Sequence, residues 1–534
     1  MKSNQRNQHV FSQVPRAEIP RSQFDRSSGH KTTFDAGLLV PYFVDEVLPG
    51  DTFSLRSTLF ARLATPIKPA MDNMYIDTQF FFVPNRLVWD NWQKMCGEQD
   101  DPGDSTDYTV PQIVSPGGGY APNSIYDYLG LPVGVPGIRH NALYLRACNL
   151  IWNQWYRDQN LQASLPVPKG DGPDLDTLYT LQRRAKRHDY FTSALPWPQK
   201  NNAGAVEIPL GTSAPVRGIG ALNQTFDATT VSAYETGGTG PVTYANGQKN
   251  TGGTTPNDHF YIAQDPNNLG FPNIYTDLSQ ASAATINSLR QAFQLQRMFE
   301  RDARGGTRYT EVLLAHFGVS SPDARLQRAE YLGGGSSPVS FNTVPQQSPT
   351  GTYADTPQGN LSAYATAGAS GHGFTKSFTE HGMLIGFVSV RADLNYQQGL
   401  NRMWSRETRF DYAWPGLTHI GEQAILSKEL FADASPGDAT VFGYQERYAE
   451  YRYRPNQITG EFRSSFPQSL DYWHLAQDFT TRPLLNESFI VENPPVDRII
   501  AVPAEPHFLF DSFTQLRCSR PLPLYGVPGF IDHF

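Results

Sequence analysis

The 534-residue sequence has only three cysteines, no apolar run long enough to span a membrane, and none of the common catalytic signatures. Cys96, Cys148 and Cys518 lie far apart and form no Cys-x-x-Cys pair. Neither a disulfide framework nor a zinc knuckle is expected, and the thiols read as buried and free in a reducing compartment. A membrane helix needs roughly 18 consecutive apolar residues, and the start MKSNQRNQHVFSQVPR lacks the apolar core of a signal peptide. A soluble chain made in a cytoplasm, without membrane insertion, is expected. There is no Walker loop, HExxH, GxSxG or EF-hand pattern. The nearest imitation of a phosphate loop, GHGFTKSF at 371–378, has Thr375 where a glycine must precede Lys376. His372, Glu380 and His381 could be drawn as metal ligands, but nothing identifies a further converging ligand. Structural or surface roles are expected for them, with no metal or other cofactor.

What is present suits a large β-rich body. With 39% hydrophobic and 12% aromatic residues the chain can bury a sizeable core. Its 45 glycines and 41 prolines follow no period, as when many strands are joined by turns and long connections. Lys plus Arg total 43 against 51 for Asp plus Glu, a net charge of -8. That charge is uneven: residues 1–31 carry +4 and the remainder -12. A polar basic arm ahead of an acidic body is either solvated or laid against phosphate.

Strand patterns cluster toward both ends, at 38–44, 53–63, 75–83, 383–392, 446–454, 486–491, 498–502 and 507–518. In 53–63 the alternation puts Phe53, Leu55, Ser57, Leu59, Ala61 and Leu63 on one side, and Ser54, Arg56, Thr58, Phe60 and Arg62 on the other. Helices are predicted over 140–157, over 278–303 with Gly305-Gly306 as stop, and over Thr307 to Phe317 with Thr307 as cap and Gly318 as terminator. All three are expected to be packing elements. Residues 201–275 hold eleven glycines and no tryptophan or cysteine, so they are expected at the surface. A second loop-rich stretch is expected over 333–360.

Carboxylates invite an enzymatic reading that the local chemistry answers otherwise. In VDEVLPGDTFSLRSTLF (44–60), Asp45, Glu46 and Asp51 surround a Pro-Gly corner, and Pro49-Gly50-Asp51 has the residues of a turn that feeds a strand. A general acid and base need a second carboxylate held across a cleft, which adjacency does not supply. DDPGD at 100–104 reads as a loop. Two basic stretches carry aromatics, RRAKRHDYF at 183–191 and ERYAEYRYRPNQITGEFR at 446–463. Interleaved Arg and Tyr can hold single-stranded nucleic acid. In the second, strand alternation would put Arg452 and Arg454 on one face and Tyr451 and Tyr453 on the other, so a core face and an acidic neighbour explain it equally.

Long blocks of the chain resemble a known family. SSGHKTTFDAGLLVPYFVDEVLPGDTF, MDNMYIDTQFFFVPNRLVWDNW, LRQAFQLQRMFERDARGGTRYTEVLLAHFGV, VSVRADLNYQQGLNRMWSRETRFD and the ending from NPPVDRIIAV to PGFIDHF resemble the major capsid protein of the microviruses, small icosahedral single-stranded DNA phages, in their gokushovirus branch. The resemblance implies a non-enzymatic virion protein, made in a bacterial cytoplasm. Its fold would be mainly β, an eight-stranded antiparallel jelly roll of the viral capsid type with long loop insertions and a few helices. Many copies would form a T=1 icosahedral shell around circular single-stranded DNA, with a small basic packaging protein offsetting the acidic subunit. A surface insertion would build threefold protrusions and meet a receptor on the bacterial host.

Mapped onto this chain, residues 1–36 are a basic arm expected on the interior. Residues 37–200 are the first part of the barrel body, 201–275 the surface insertion, 276–334 a helical insertion, and 335–534 the remaining body. Candidate DNA contacts are Arg6, Arg16, Arg21, Arg26, Lys31, Arg452 and Arg454. Trp404, Arg406, Arg409 and Trp414 are candidate subunit contacts, aromatic and arginine side chains being usual anchors. Tyr234, Tyr244, Asn246 and Gln248 are candidates for host attachment. The other reading of a β-rich chain is a secreted glycan-binding protein or glycosidase, which an export signal and paired cleft carboxylates would favour.

Overall fold

The computed structural model describes residues 20–200, 216–217, 231–233, 242–244, 275–276, 286–320, 322, 327–348 and 357–525. The chain divides into two units, one made of Met1–Pro198 with Asp302–Phe534, the other of Gln199–Arg301. The first is built on nine strands: β1 (Ser22–Asp25), β2 (Ser28–Phe34), β3 (Val40–Val47), β4 (Thr52–Leu63), β5 (Met74–Pro84), β6 (Glu330–Pro345), β7 (Leu361–Ser377), β8 (Gly382–Ala392) and β9 (Phe508–Arg520). They fill eight positions of one antiparallel sheet, in the order β1/β2, β9, β4, β7, β6, β5, β8, β3, because β1 and β2 share the same edge of β9.

The sheet folds over on itself at the β6–β7 hairpin. The first part of β6 pairs with β5 and its last six residues pair with β7, whose own later part pairs with β4. Two leaves of four positions therefore face each other, a jelly-roll-like curl. Phe80 of one leaf meets Phe374 of the other at 5.6 Å between ring centroids, Phe82 meets Phe378 at 4.6 Å, and Tyr42 on β3 reaches Phe510 on β9 at 5.6 Å.

Each leaf's sequence reports what covers it. In β4 the side chains of Phe53, Leu55, Ser57, Leu59, Ala61 and Leu63 are buried between the leaves, as the alternation predicts, and β9 alternates likewise from Phe508 to Cys518. The opposite face of these strands carries exposed Arg56, Phe60, Arg62, Leu509 and Phe513. By contrast β8, MLIGFVSVRA after its first glycine, is buried on both faces, as a near-continuous apolar run requires. Its outer face and that of β5 are covered by helix α1 (Leu143–Ile151), whose first turn is capped by Asn141 Oδ1 accepting the Leu143 N–H at 2.8 Å. A third core, around Tyr190, Phe191, Tyr396 and Phe442, packs on a small hairpin, Glu422–Leu426 with Val441–Glu446.

Several sequence expectations are corrected. Residues 333–345 of the stretch expected to be loop belong to β6. Residues 446–454 are not a strand: pairing ends at Glu446, and Tyr448, at φ +63°, turns the chain into a single 3-10 turn at Ala449–Tyr451. Residues 486–491 hold a short helix, Glu487–Ile490, because Asn486 Oδ1 accepts the Phe489 N–H at 3.1 Å. Residues 498–502 make only an isolated bridge, Ile500 with Pro66. Residues 22–34 of the presumed arm are strands on the sheet rather than a solvated tail.

In helix α2 (Ile286–Gly305) none of residues 289–302 is buried but Ala303 is, and Arg304 pairs with Glu422, so among these residues only its end packs as expected. Helix α3 (Tyr309–Phe317) starts on Arg308 rather than Thr307 and stops at Gly318, whose φ of +68° suits glycine. Cys148 and Cys518 are buried, Cys96 is exposed, and all three are free. No helix among the described residues is long and apolar enough to cross a membrane.

Candidate nucleic-acid and subunit-contact surfaces

The corner at residues 44–60 is where the two ends of the sheet meet. Asp45 and Glu46 lie on β3, and Pro49-Gly50 turns the chain with Gly50 at φ +87°. Asp51 Oδ2 accepts the Leu48 N–H at 2.8 Å, so its carboxylate closes the turn, as turn chemistry suggests. Asp51 is nonetheless fully buried, and its oxygen lies 3.2 Å from Arg520 Nε on β9, the strand paired with β4. Burial pushes its carboxyl up, against the pull of the Leu48 N–H and Arg520. Arg520 also donates to the Glu46 carbonyl at 2.5 Å. Arg26, between β1 and β2, holds Asp45 with two bonds of 2.6 and 2.9 Å. The Arg26–Asp45 pair and the Arg520 bond to the Glu46 carbonyl clasp β3 to the other end of the sheet, which no backbone ladder closes, while Asp51 ties β4 to its ladder partner β9.

The candidate DNA contacts are therefore placed as follows. Arg26 is engaged with Asp45, Lys31 on β2 pairs with Asp511 at 3.0 Å while remaining exposed, and Arg21 is exposed beside Thr52. Arg6 and Arg16 lie outside the described residues. Arg452 is exposed and paired with Glu446, and Arg454 is exposed. The expected division of faces does not hold: Tyr453 stacks on Tyr190 at 5.8 Å, whereas Tyr451 is exposed. Of the host-attachment candidates, Tyr244 ends the short strand Val242–Tyr244, whose pairing with Val231–Ala233 is all that is described around it. Tyr234, Asn246 and Gln248 lie outside the described residues.

The subunit-contact candidates come together with the 446–454 segment. Arg406 packs over the Tyr451 ring at 4.1 Å and lies 3.4 Å from Glu450, its side chain only 10% exposed. Arg409 covers the Trp414 ring at 4.6 Å, and Trp414 Nε1 donates to the Arg409 carbonyl at 3.0 Å. Around them Trp404 is 72% exposed, and Met403, Phe410, Tyr412, Trp414 and Ile420 are also exposed. Exposed aromatic and apolar side chains beside arginines are the composition usual at contact surfaces. Phe410, Tyr412 and Ile420 were not among the candidates, since the spacing RFDYAWPGLTHI holds them without any period.

Behind this patch, Glu429 and Glu450 are the pair that most nearly resembles cleft carboxylates. Arg402 bonds Glu429 at 2.9 Å and lies 3.8 Å from Glu450; Arg406 takes Glu450 from the other side. Burial raises the Glu429 carboxyl against the pull of Arg402. Guanidiniums occupy both acids, so the pair serves as an internal tie.

The metal candidates do not converge. His372 contacts Thr78 at 2.9 Å, Glu380 pairs with Arg86 at 2.6 Å, and His381 packs edge-on to Trp92. No group of three or more His, Cys, Asp or Glu among the described residues could hold a metal ion. Asp104 accepts the Asp100 and Asp101 N–H groups at 3.2 Å, in keeping with the turn reading of DDPGD.

Comparison with known proteins adds the family. The model of the phage capsid protein (F protein) family matches residues 12–530. The chain is 49% identical over 540 residues to capsid protein VP1 of Bdellovibrio phage phiMH2K, covering 99% of each. It is 47% identical over 585 residues to capsid protein VP1 of Chlamydia phage 1, covering 97% of each. Capsid protein VP1 of Spiroplasma virus 4 is 37% identical over 556 residues, covering 98% of this chain and 97% of that one.

Proposed function

Because the chain belongs to the phage capsid protein (F protein) family, we propose that copies of it close a T=1 icosahedral shell around a circular single-stranded DNA, and that residues 201–275 form a surface insertion that meets the host. The coarser statement needs no proposal. The chain is a structural, non-enzymatic major capsid protein of the gokushovirus type, from a microvirus-like single-stranded DNA phage. It resides in the virion, as a homo-oligomer enclosing the genome, and the glycan-binding or glycosidase reading is set aside.

The observation that carries the finer reading is the division of the chain. Gln199–Arg301 form a unit apart from the one that bears the sheet, and 201–275 fall within it. A barrel that delegates one long connection to a separate unit can present that unit without disturbing its own packing. The exposed patch around Trp404 supports contact between copies, with Arg409 and Trp414 at its centre and Arg406 bracing it from within. For the DNA, the net charge of -8 supports a small basic partner protein, and the +4 balance of residues 1–31 supports an inward-facing arm.

The test is electron microscopy of particles from cells carrying the phage, with nuclease-protected DNA assayed in the same fractions. Uniform small icosahedra with threefold knobs that disappear when 201–275 is shortened support the reading. Shells of another symmetry, or knobs that persist after shortening, overturn it. Host adsorption by particles altered at Tyr234, Tyr244, Asn246 and Gln248 tests attachment separately.

A further inference from the structure

The basic stretch RRAKRHDYF has a place in the fold that neither shell closure nor host attachment explains. It runs along the outer face of β5 and β8, where it borders a cavity of about 530 Å³. Strand alternation builds the floor. Ile76 and Phe80 point into the barrel, leaving Tyr75, Asp77, Gln79 and Phe81 on the other side. Cross-strand register then sets Tyr331 of β6 opposite Phe81, and Arg391 of β8 opposite Tyr75.

Two arginines share one acid on this floor. Arg184 Nη1 at 2.7 Å and Arg391 Nη2 at 2.9 Å bond the same oxygen of Asp77. Their side chains are only 12% and 15% exposed, so one carboxylate takes direct bonds from two largely desolvated guanidiniums, with buried Glu492 a further acid that acts on both. Burial would raise the Asp77 carboxyl, but the Ser336 hydroxyl and the two arginines hold it below the usual range. Arg187, partly exposed beside the cavity, stacks over the Tyr75 ring at 4.5 Å and lies 3.5 Å from Asp393. The walls are aromatic. Tyr331 is 41% exposed, 5.9 Å from the Trp155 ring and 5.5 Å from Phe81, and Tyr156 lies beneath Arg184. A concave site of this volume is ligand-sized.

We propose that this cavity seats one nucleotide of the packaged single strand, its base against Tyr331 and Trp155 and its phosphate on Arg187, Arg184 and Arg391. The assignment rests on the reading of the chain as a shell around single-stranded DNA. Base stacking on aromatic rings beside guanidiniums is the recurring chemistry of sequence-tolerant single-strand binding. An acidic peptide would satisfy the charge but would leave the exposed Tyr331 ring without a purpose.

Virions carrying the intact chain, irradiated with ultraviolet light and digested, test the site directly. Nucleotide adducts on the peptides bearing Tyr331 or Trp155 are expected. Particles that hold nuclease-protected DNA but carry adducts only elsewhere overturn the site while leaving the capsid reading intact; failure of wild-type particles to protect DNA would instead sink that reading. Purified full-length protein titrated with a labelled oligothymidylate gives the second readout. Tyr331→Ala is expected to weaken binding roughly tenfold, and Tyr331→Phe by less than about twofold. Arg187→Gln should flatten the slope of log affinity against log salt by about 0.7. If Tyr331→Ala fails to fold, the Arg187→Gln slope decides the matter. Unchanged affinity and slope overturn the proposal, as does displacement of the oligothymidylate by a glutamate-rich peptide at lower concentration, which would make the cavity a protein-binding site.

Discussion

Replacing Trp404 by alanine is expected to leave the subunit folded and to impair assembly. A tryptophan can bury up to about 250 Å². With 72% of Trp404 exposed, the isolated subunit uses roughly a quarter of that, worth about 1.5 kcal/mol at ~25 cal/mol per Å². The remaining ~180 Å² corresponds to at most about 4.5 kcal/mol if a neighbouring copy covers it, within the range of interface anchors. Because every copy in a closed shell repeats the loss, even half of that value should abolish particles at concentrations where the wild type assembles. Arg406→Ala is the contrasting change, since that side chain is spent inside the subunit on Glu450 and Tyr451. It should cost about 2 kcal/mol of subunit stability, less than a fully buried pair because Arg402 stays near Glu450. Urea unfolding followed by far-ultraviolet circular dichroism reads stability, and sedimentation velocity reads assembly. Normal particle yield from Trp404→Ala, or its unfolding with a loss well above 2 kcal/mol, would refute the reasoning.

Three further outcomes follow from the barrel. Arg520→Ala should lower the urea midpoint by an amount equivalent to about 3 kcal/mol, because it strips the cation from fully buried Asp51; a loss no larger than that of Arg26→Gln, whose pair is partly exposed, would argue against the clasp. Glu492 is buried and its carboxyl is raised, first by burial and despite the Ala392 N–H and Lys186, so the folded state binds its proton more tightly than the unfolded. Its contribution is full below about pH 4 and is lost as pH rises through the raised value, so Glu492→Gln should flatten the pH profile of stability, and parallel profiles would sink this assignment. Gly334→Ala would drive a methyl into the Thr78 carbonyl of the paired strand and should cost about 2 kcal/mol; an unchanged melting temperature would show that the two strands can part there.

How far the sequence could be read depended on which force set each segment. Where burial alone decides, as in the alternation of 53–63 and the apolar run of 383–392, pattern and structure agree closely. It failed on β6 and β7 because their glycines, GGGSS and GASGHG, look like turn chemistry. In the fold those glycines permit close approach: Gly334 lies against the Thr78 carbonyl, Gly373 against the Leu55 carbonyl and Gly335 against the His372 ring, where the leaves join. The Arg-Tyr alternation at 446–454 has the right period for a strand and no partner to pair with, and one left-handed residue, Tyr448, diverts it. The exposure of Phe410, Tyr412 and Ile420 was not legible, since exposure is a property of the fold and leaves no period in the sequence. The nucleic-acid candidates in the arm could be named from charge, but Arg26's commitment to Asp45 required the curl of the sheet.

That curl explains why a chain with 51 acidic residues needs no reaction to account for those at the corner between β3 and β4. A sheet folded into two leaves leaves two edge strands, β3 and the β1/β2 edge beside β9, whose backbone groups are not joined by a ladder. Unclasped, such edges invite pairing with other chains. Asp45 binds Arg26, delivered from the opposite edge, and the Glu46 carbonyl takes a bond from Arg520 of β9, which also ties Asp51 at the start of the neighbouring strand β4. A side-chain seam has a physical consequence that a backbone ladder lacks. Its ion pair, Arg26 with Asp45, is open to solvent on the arginine side and weakens with salt, whereas buried Asp51 and Arg520 tie β4 to β9, which a ladder already joins. The seam between β3 and the opposite edge therefore loosens at high ionic strength at Arg26 and Asp45, and is left with the Arg520 bond to the Glu46 carbonyl, so the arginine-carboxylate chemistry of this corner is spent on holding strands together.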